Sequence, residues 1–284
     1  MNTTTQVQDI QISELINNCF KFTKLFQYRP KFSMYIENEN YILKTAEKLA
    51  EFYPIFKMRQ QAFLLNDETC KIPFRIDIDE HDFTYDHIMI IDKRSGRICG
   101  TYRMKTSLTS ADFYSQNEFE LGQFLKEPGI KLELGRACIH PDFRNGAVID
   151  LLWKGIAKYA QLTNARYLFG CSSVKITDPQ AVSRLMNYMN SESMISQEYG
   201  IRPTSEFSMG ELPEAHEGLE DSKKLLPPLL RSYLQAGSKV HGAPALDKDF
   251  KCIDLMTVLD LRNIQGSYAR RYFPTKQESS SFCG

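Results

Sequence analysis

The stretch from Lys131 to Gln161 constrains the architecture of this chain more than any other. Leu132, Leu134 and Ala137 punctuate a polar background over 131–139, the spacing of a strand. His140-Pro141 ends it. Arg144, Asn145 and Gly146 then form a tight loop. Val148, Leu151, Leu152, Gly155, Ile156 and Tyr159 fall on one face of a helix over 147–161. The unpaired N–H groups at such a helix start hold phosphate or a run of amide oxygens, and Gly146 lets a backbone approach closely. A plain strand–turn–helix junction uses the same residue types, so the stretch on its own dictates architecture before chemistry.

The remaining periodicities build an α/β order around it. Ile12, Leu15, Ile16, Cys19, Phe20, Phe22 and Leu25 predict an amphipathic helix over 12–28. A strand is expected at 41–45, and a helix at 46–65 interrupted near Pro54. Residues 85–93 and 97–105 read as a hairpin turning at Ser95-Gly96. Another strand is expected at 166–171. A helix at 178–189 has Asp178 as its cap and Pro179 in its first turn. Residues 203–224, rich in prolines, glycines and acids, read as a linker or lid. A short helix at 225–234 and a strand at 251–261 follow, and a disordered tail is expected from about 275. The expected organisation is an N-terminal helical extension (1–40), a core (41–202), the linker or lid (203–224) and a C-terminal extension completing the fold (225–284). The fold class is α/β with a mixed central sheet flanked by helices.

Composition narrows the function classes. The 284 residues hold 35 Lys plus Arg against 35 Asp plus Glu, so no net charge favours nucleic acid. The seven cysteines include no CxxC pair, and the five histidines form no HExxH, so neither a disulfide framework nor a metal site is expected. Met1–Gln11 lacks an apolar core and no window reaches the roughly 20 apolar residues of a membrane span. A cytoplasmic protein is expected. Lys21 and Lys24 on the amphipathic N-terminal helix leave room for peripheral membrane contact.

Several ordered segments carry a resemblance: FKMRQQAF (56–63), IDEHDFTYDHIMIID (78–92), GRICGTYRM (96–104), ELGRACIHPDFRNGAVIDLLWKGIAKYA (133–160), YLFGCSS (167–173), LPPLLRSYLQAG (226–237) and GAPALDKDF (242–250). Together they span about residues 41–273 and resemble GNAT-fold N-acyltransferases. Within that fold they are similar to the ornithine lipid synthase and N-acyl amino acid synthase branch, related to acyl-homoserine lactone synthases. The resemblance implies transfer of a long-chain fatty acyl group to the amino group of a small amino acid, ornithine-like by preference. The alternatives are an acyl-homoserine-lactone-synthase-like enzyme with another amine acceptor, and a non-catalytic scaffold that binds acyl carrier protein. The usual acetyltransferase loop carries a second glycine where this chain has Val148. That departure suits the 4'-phosphopantetheine thioester of an acyl carrier protein better than acyl-CoA. The 18 Phe, 14 Tyr and 10 Met are expected to line an acyl channel.

Acyl transfer to an amine needs a proton acceptor, a stabilised oxyanion and a thioester held at attack distance. The resemblance places Glu133 beside the thioester as the general base; the same carboxylate is also placed to pair with Arg136 along the strand. Arg59, Arg103 and Arg136, with Asp79 and Asp82, suit a zwitterionic amino acid, or form a structural network that also draws in Asp86. Arg144, Asn145 and Gly146 are the expected pantetheine loop. Lys154 and Lys158, one helical turn apart, suit an acidic carrier protein. Cys171 and Ser172 are expected near the departing thiol. A covalent Cys171 is the less favoured route, because it needs a base and a lowered pKa.

Overall fold

A computed structural model describes residues 21–63, 76–215 and 219–274. In chain order the elements are β1 (Tyr35–Glu37), β2 (Tyr41–Thr45), α1 (Leu49–Phe63), β3 (Asp86–Asp92), β4 (Ile98–Thr106) and β5 (Phe119–Glu120). Then come α2 (Gly122–Lys126), β6 (Ile130–Ile139), α3 (Gly146–Thr163), β7 (Ala165–Val174), α4 (Pro179–Ser191), β8 (Ile195–Ser196) and β9 (Arg202–Pro203). The last are α5 (Pro228–Gln235), β10 (Lys239–His241), β11 (Ala245–Asp247), β12 (Cys252–Asp260) and α6 (Gly266–Tyr272). The described residues divide into two compact units. One holds those up to 105 together with 135–159, the other those at 106–134 and from 160 onward.

In the first unit β1, β2, β3 and β4 form antiparallel ladders. α1 lays Phe52, Ile55 and Phe56 against Ile78 and Met89, each large side chain contributing about 1.5–3 kcal/mol by leaving water. α3 packs closely on the strands at Gly155, where an added Cβ would lie 2.7 Å from Leu43 Cδ1 and 3.3 Å from Ile88 Cδ1. The helix expected to break near Pro54 runs through it from Leu49 to Phe63. Pro54 is exposed, so the Ala50 carbonyl that loses its helical donor faces water instead of going unpaired.

The second unit supplies the mixed character of the sheet. β6 and β7 pair in parallel from Ile130↔Ala165 to Glu133↔Phe169, and β7 pairs antiparallel with β12 from Asp260↔Tyr167 to Ile253↔Val174. β10 adds to β12 antiparallel and β8 to β10 in parallel. Because side chains alternate along a strand, β7 and β12 bury two different faces. Phe169 and Met256 face Phe113, Phe119, Phe124 and Tyr199. Val174, Ile253 and Leu255 face Val182, Leu185, Leu226 and Leu230 from α4 and α5. The edge-to-face contacts of Phe124 with Tyr167 and Phe169 show these aromatics packed as core, so the aromatic count by itself does not mark a channel. The expected linker at 203–224 is tied to α4: Ser183 Oγ donates to Pro213 O and Asn187 Nδ2 to Ala215 O, both at 2.5 Å.

Residues 12–20 of the expected N-terminal helix, and the expected tail from about 275, lie outside the described residues. No helix among those described is long and apolar enough to cross a membrane.

Candidate active site

β6 and β7 are adjacent, and their ladder stops at Glu133↔Phe169 although both strands continue. Gly170 marks the stopping point. Its backbone comes so near β6 that a Cβ there would sit 2.1 Å from Leu134 O.

The first unit gathers five of the expected site residues into an ion network. Arg59, from α1, donates Nη1 and Nη2 to the two oxygens of Asp82 at 2.7 and 3.2 Å, and Nε to Asp77 at 2.6 Å. Arg103, from β4, donates to Asp79 at 2.6 Å and to Asp82 at 3.0 Å. Arg136, from β6, donates to Asp79 at 3.3 Å and lies 3.6 Å from Asp77. Asp79 and Asp82 also close a capping box around a turn of 3-10 helix at Glu80–Phe83, which orients both carboxylates. Three guanidinium groups thus meet three carboxylates. His87 completes the set, with Nε2 2.9 Å from Asp82 O.

Burial and charge oppose each other in this network. Arg59 and Arg103 are 1% exposed and Asp82 is 0% exposed. Burial alone would raise the Asp82 carboxyl, but Arg59 and Arg103 outweigh it and hold it well below the usual range. Asp79 is held low in the same way by Arg103 and Arg136, against burial and the charge of Asp82. Burial pushes the His87 imidazole down to about 4, so it is neutral. Arg136 holds a left-handed backbone at φ 49°, a cost of order 1–3 kcal/mol that its two ion pairs help to hold. Glu133 and Arg136, read as partners along one strand, have other partners. Asp86, read as a partner for the arginines, is elsewhere too. It accepts from the Lys31 and Phe32 amides and from the Tyr28 and Tyr159 hydroxyls, which satisfy a carboxylate without an arginine. Asp77 takes that place.

The same unit carries the expected donor loop. A turn of 3-10 helix at Pro141–Phe143 delivers Arg144, Asn145 and Gly146 to the start of α3. All three are exposed. Asn145 Oδ1 accepts the Val148 amide at 3.1 Å and so caps the helix. A Cβ at Gly146 would meet nothing within 4 Å, which leaves that face open. Lys154, expected to meet a carrier protein, pairs with Asp150 at 2.8 Å.

The second unit holds Glu133, Cys171 and Ser172. Glu133 is 2% exposed. It accepts the Tyr114 amide at 3.0 Å, the Ser115 amide at 2.7 Å and the Ser115 hydroxyl at 2.5 Å. Cys171 Sγ lies 3.5 Å from the same hydroxyl. Burial, with Glu118 and Asp254 nearby, pushes the Cys171 thiol well above its ordinary value, so it stays protonated and is a poor nucleophile. Ser172 points to the other sheet face and accepts from Thr257 Oγ1 at 2.9 Å.

Ser115, Glu118 and Asp254 escape a reading of the sequence. Residues 112–127 show no long period, and an acid flanked by Asn117 and Phe119 looks like any solvated acid. Yet Glu118 is 1% exposed. Burial, followed by Asp254, raises its carboxyl to about 8, against hydrogen bonding from Tyr114 and Cys171. Asp77 did leave a signal, since Asp77 and Asp79 share one face of an extended segment two residues apart.

Comparison with known proteins adds the following. An acetyltransferase (GNAT) domain family matches residues 58–154. An L-ornithine N(alpha)-acyltransferase of Rhizobium meliloti is 30% identical over 210 residues, covering 69% of this chain and 70% of the relative. One of Rhodobacter capsulatus is 30% identical over 209 residues, covering 70% of this chain and 80% of the relative. Among solved structures, FeeM, an N-acyl amino acid synthase from uncultured soil microbes, aligns with a TM-score of 0.46 at 10% identity, covering 78% of this chain and 90% of its own. The loading GNATL domain of CurA from Lyngbya majuscula aligns with a TM-score of 0.48 at 13% identity, covering 79% and 99%. Neither likeness bears on substrate.

Proposed function

The chain belongs to the L-ornithine N(alpha)-acyltransferase family and is an acyltransferase, and on that premise we propose that it moves a long-chain fatty acyl group from acyl carrier protein to the α-amino group of ornithine. The observation that carries this reading is the 30% identity to two L-ornithine N(alpha)-acyltransferases over most of both chains.

The chemistry follows from the groups present. The amine nitrogen attacks the thioester carbonyl, the C–S bond breaks, and an amide and a free thiol result. Glu133 accepts the proton that nitrogen loses, directly or through the Ser115 hydroxyl that already donates to it. That proton then leaves with the thiolate. Transfer is direct, since Cys171 is held as a thiol. Arg144, Asn145 and Gly146, at the open start of α3, receive the pantetheine arm. Arg136 and Asp79, the more exposed members of the ion network, face an incoming zwitterion; Arg59, Arg103 and Asp82 hold them in place.

The test is an acylation assay with ornithine and three donors: long-chain acyl carrier protein, the matching acyl-CoA, and acetyl-CoA. N-acyl ornithine, read by mass spectrometry and fastest from the carrier-protein donor, is expected. A preference for acetyl-CoA would overturn the donor assignment, and the absence of any acylated amine would overturn the whole reading.

A further inference from the structure

In the second unit Glu118 is buried, and the charges that act on it most strongly are those of two other acids, Asp254 and Asp247. Asp247, Cys252 and Asp254 gather with one ligand atom of each within 4.8 Å of the others. Glu118 is close enough to feel both acids. Its Oε2 is buried and accepts no hydrogen bond among the described residues. A buried carboxyl oxygen left without a partner costs about 1–3 kcal/mol, and such a group in a native structure calls for an explanation such as a catalytic role or a bound ion.

Glu118 is also held firmly in that position. Its amide donates to Ser115 O at 3.3 Å and its carbonyl accepts from Thr204 at 2.8 Å. The acids lie just below the surface: exposed Ser173 donates to Asp254 at 2.6 Å, and Cys171 beside it is half-buried.

We propose that Glu118, supported by Asp254 and Asp247, seats the side-chain ammonium of a dibasic amino acid, and so sets the acceptor specificity of the enzyme. This rests on the amine-acylating reading above. Ser115 and Cys171 connect the new site to the proposed base: Ser115 Oγ is 2.5 Å from Glu133 and 3.5 Å from Cys171 Sγ, and the charge of Glu118 acts on the Cys171 thiol. Standard bond lengths put the two nitrogens of an extended diamino acid with three methylenes about 6 Å apart, a span of the same scale. An ammonium brings the donor that Oε2 lacks and offsets the repulsion among the three acids. A transition metal fits less well, because burial and Asp254 push the Cys252 thiol up to about 12 and Asp247 already accepts the Phe250 amide at 2.9 Å.

The experiment compares ornithine with norvaline, which has the same carbon chain and no second amine, in wild type, Glu118→Gln and Asp254→Asn. A charge-assisted hydrogen bond is worth about 1.5–3 kcal/mol. The ornithine-to-norvaline ratio of kcat/KM should therefore fall by about 10–100-fold in Glu118→Gln, mostly through KM, with Glu118→Asp partly restoring it. A thermal melt checks that each variant is folded. Calorimetric titration with ornithine reads the same preference without turnover. Acylation with no preference for ornithine, or a ratio unchanged in folded Glu118→Gln, overturns the inference and leaves the acyltransferase reading intact. Absence of acylation of any amine, with ornithine still bound in a Glu118-dependent way, overturns the acyltransferase reading instead. A preference that needs added Zn²⁺ or Ca²⁺ and vanishes with EDTA overturns the ammonium site in favour of a metal site.

Discussion

Replacing Asp82 by Asn tests whether the first unit is held by its ion network. Asp82 accepts from Arg59 at 2.7 and 3.2 Å, from Arg103 at 3.0 Å and from its own turn at Asp79 N, 2.8 Å. The substitution keeps the shape, removes one of three negative charges, and turns an NH₂ toward guanidinium donors. Breaking a buried pair costs about 3–5 kcal/mol. Asp77 and Asp79 still balance part of the charge, so a loss near the lower end, about 3 kcal/mol, is expected. Against the usual 5–15 kcal/mol of total stability, that is a large fraction. Asp79→Asn is the comparison. Asp79 is 26% exposed on its side chain, so water screens it and its loss should be smaller. Urea unfolding followed by far-UV circular dichroism measures both. Arg59→Met combined with Asp82→Asn should cost less than the two single changes added, since the pair is then removed together. The Asp82 carboxyl is depressed, so its contribution is present above its ordinary value of 3.8 and is lost as pH falls below it. An Asp82→Asn midpoint within about 0.5 kcal/mol of wild type would show that the network does not hold this unit.

Glu133→Gln should lower turnover by about 10²–10⁴, with partial recovery at high pH where more amine is already neutral; a fully active variant would remove Glu133 from the mechanism. Cys171→Ala should keep turnover within about tenfold of wild type and mass spectrometry should find no acyl-enzyme, whereas a trapped thioester on Cys171 would show the covalent route. Asn145→Ala should destabilise by about 0.5–2 kcal/mol through its lost cap and raise KM for the acyl donor more than KM for the amine; equal changes would detach the loop from donor binding. His87 is held at about 4 against an ordinary 6.5. The unfolded chain therefore binds a proton first, and stability should fall as pH drops from about 6.5 to about 4; in His87→Gln that part of the slope should disappear, and an unchanged urea profile would refute it.

What the sequence makes legible is local. The strand read at 131–139 and the helix read at 147–161 are β6 and α3 to within a residue or two at each end, because each carries its own period and a Pro or Gly stop. Asp178 caps α4 through Ala181 N at 2.8 Å, as its side chain allows. The strands β8, β10 and β11 have two or three residues each, too few for a window to show a period, and β8 pairs with β10 far along the chain. Among the site residues, the arginines and aspartates can be recognised as a set from their segments, but their pairing cannot. Which acid meets which arginine depends on α1, β4 and β6 converging, and Asp86 is diverted by the Lys31 and Phe32 amides.

Buried charge therefore takes two forms in one chain. Around Asp82, three guanidinium groups answer three carboxylates, and the histidine beside them gives up its charge. Around Glu118, Asp254 accepts from a hydroxyl and Asp247 from an amide, and one carboxyl oxygen of Glu118 has no partner among the described residues. The two forms pull stability in opposite directions with pH. The depressed groups of the first lose their contribution as pH falls. The raised carboxyl of Glu118 binds its proton more tightly in the folded chain, so that contribution is lost as pH rises from its ordinary 4.5 through about 8. A protein built only for stability gains nothing from the second arrangement, since Gln or Leu at position 118 would remove the penalty. A ligand with a positive charge changes that balance: it releases the proton, supplies the missing donor, and is held more weakly when the second amine is absent. The strained acid is then the means by which the enzyme distinguishes a dibasic acceptor from a neutral one of the same length.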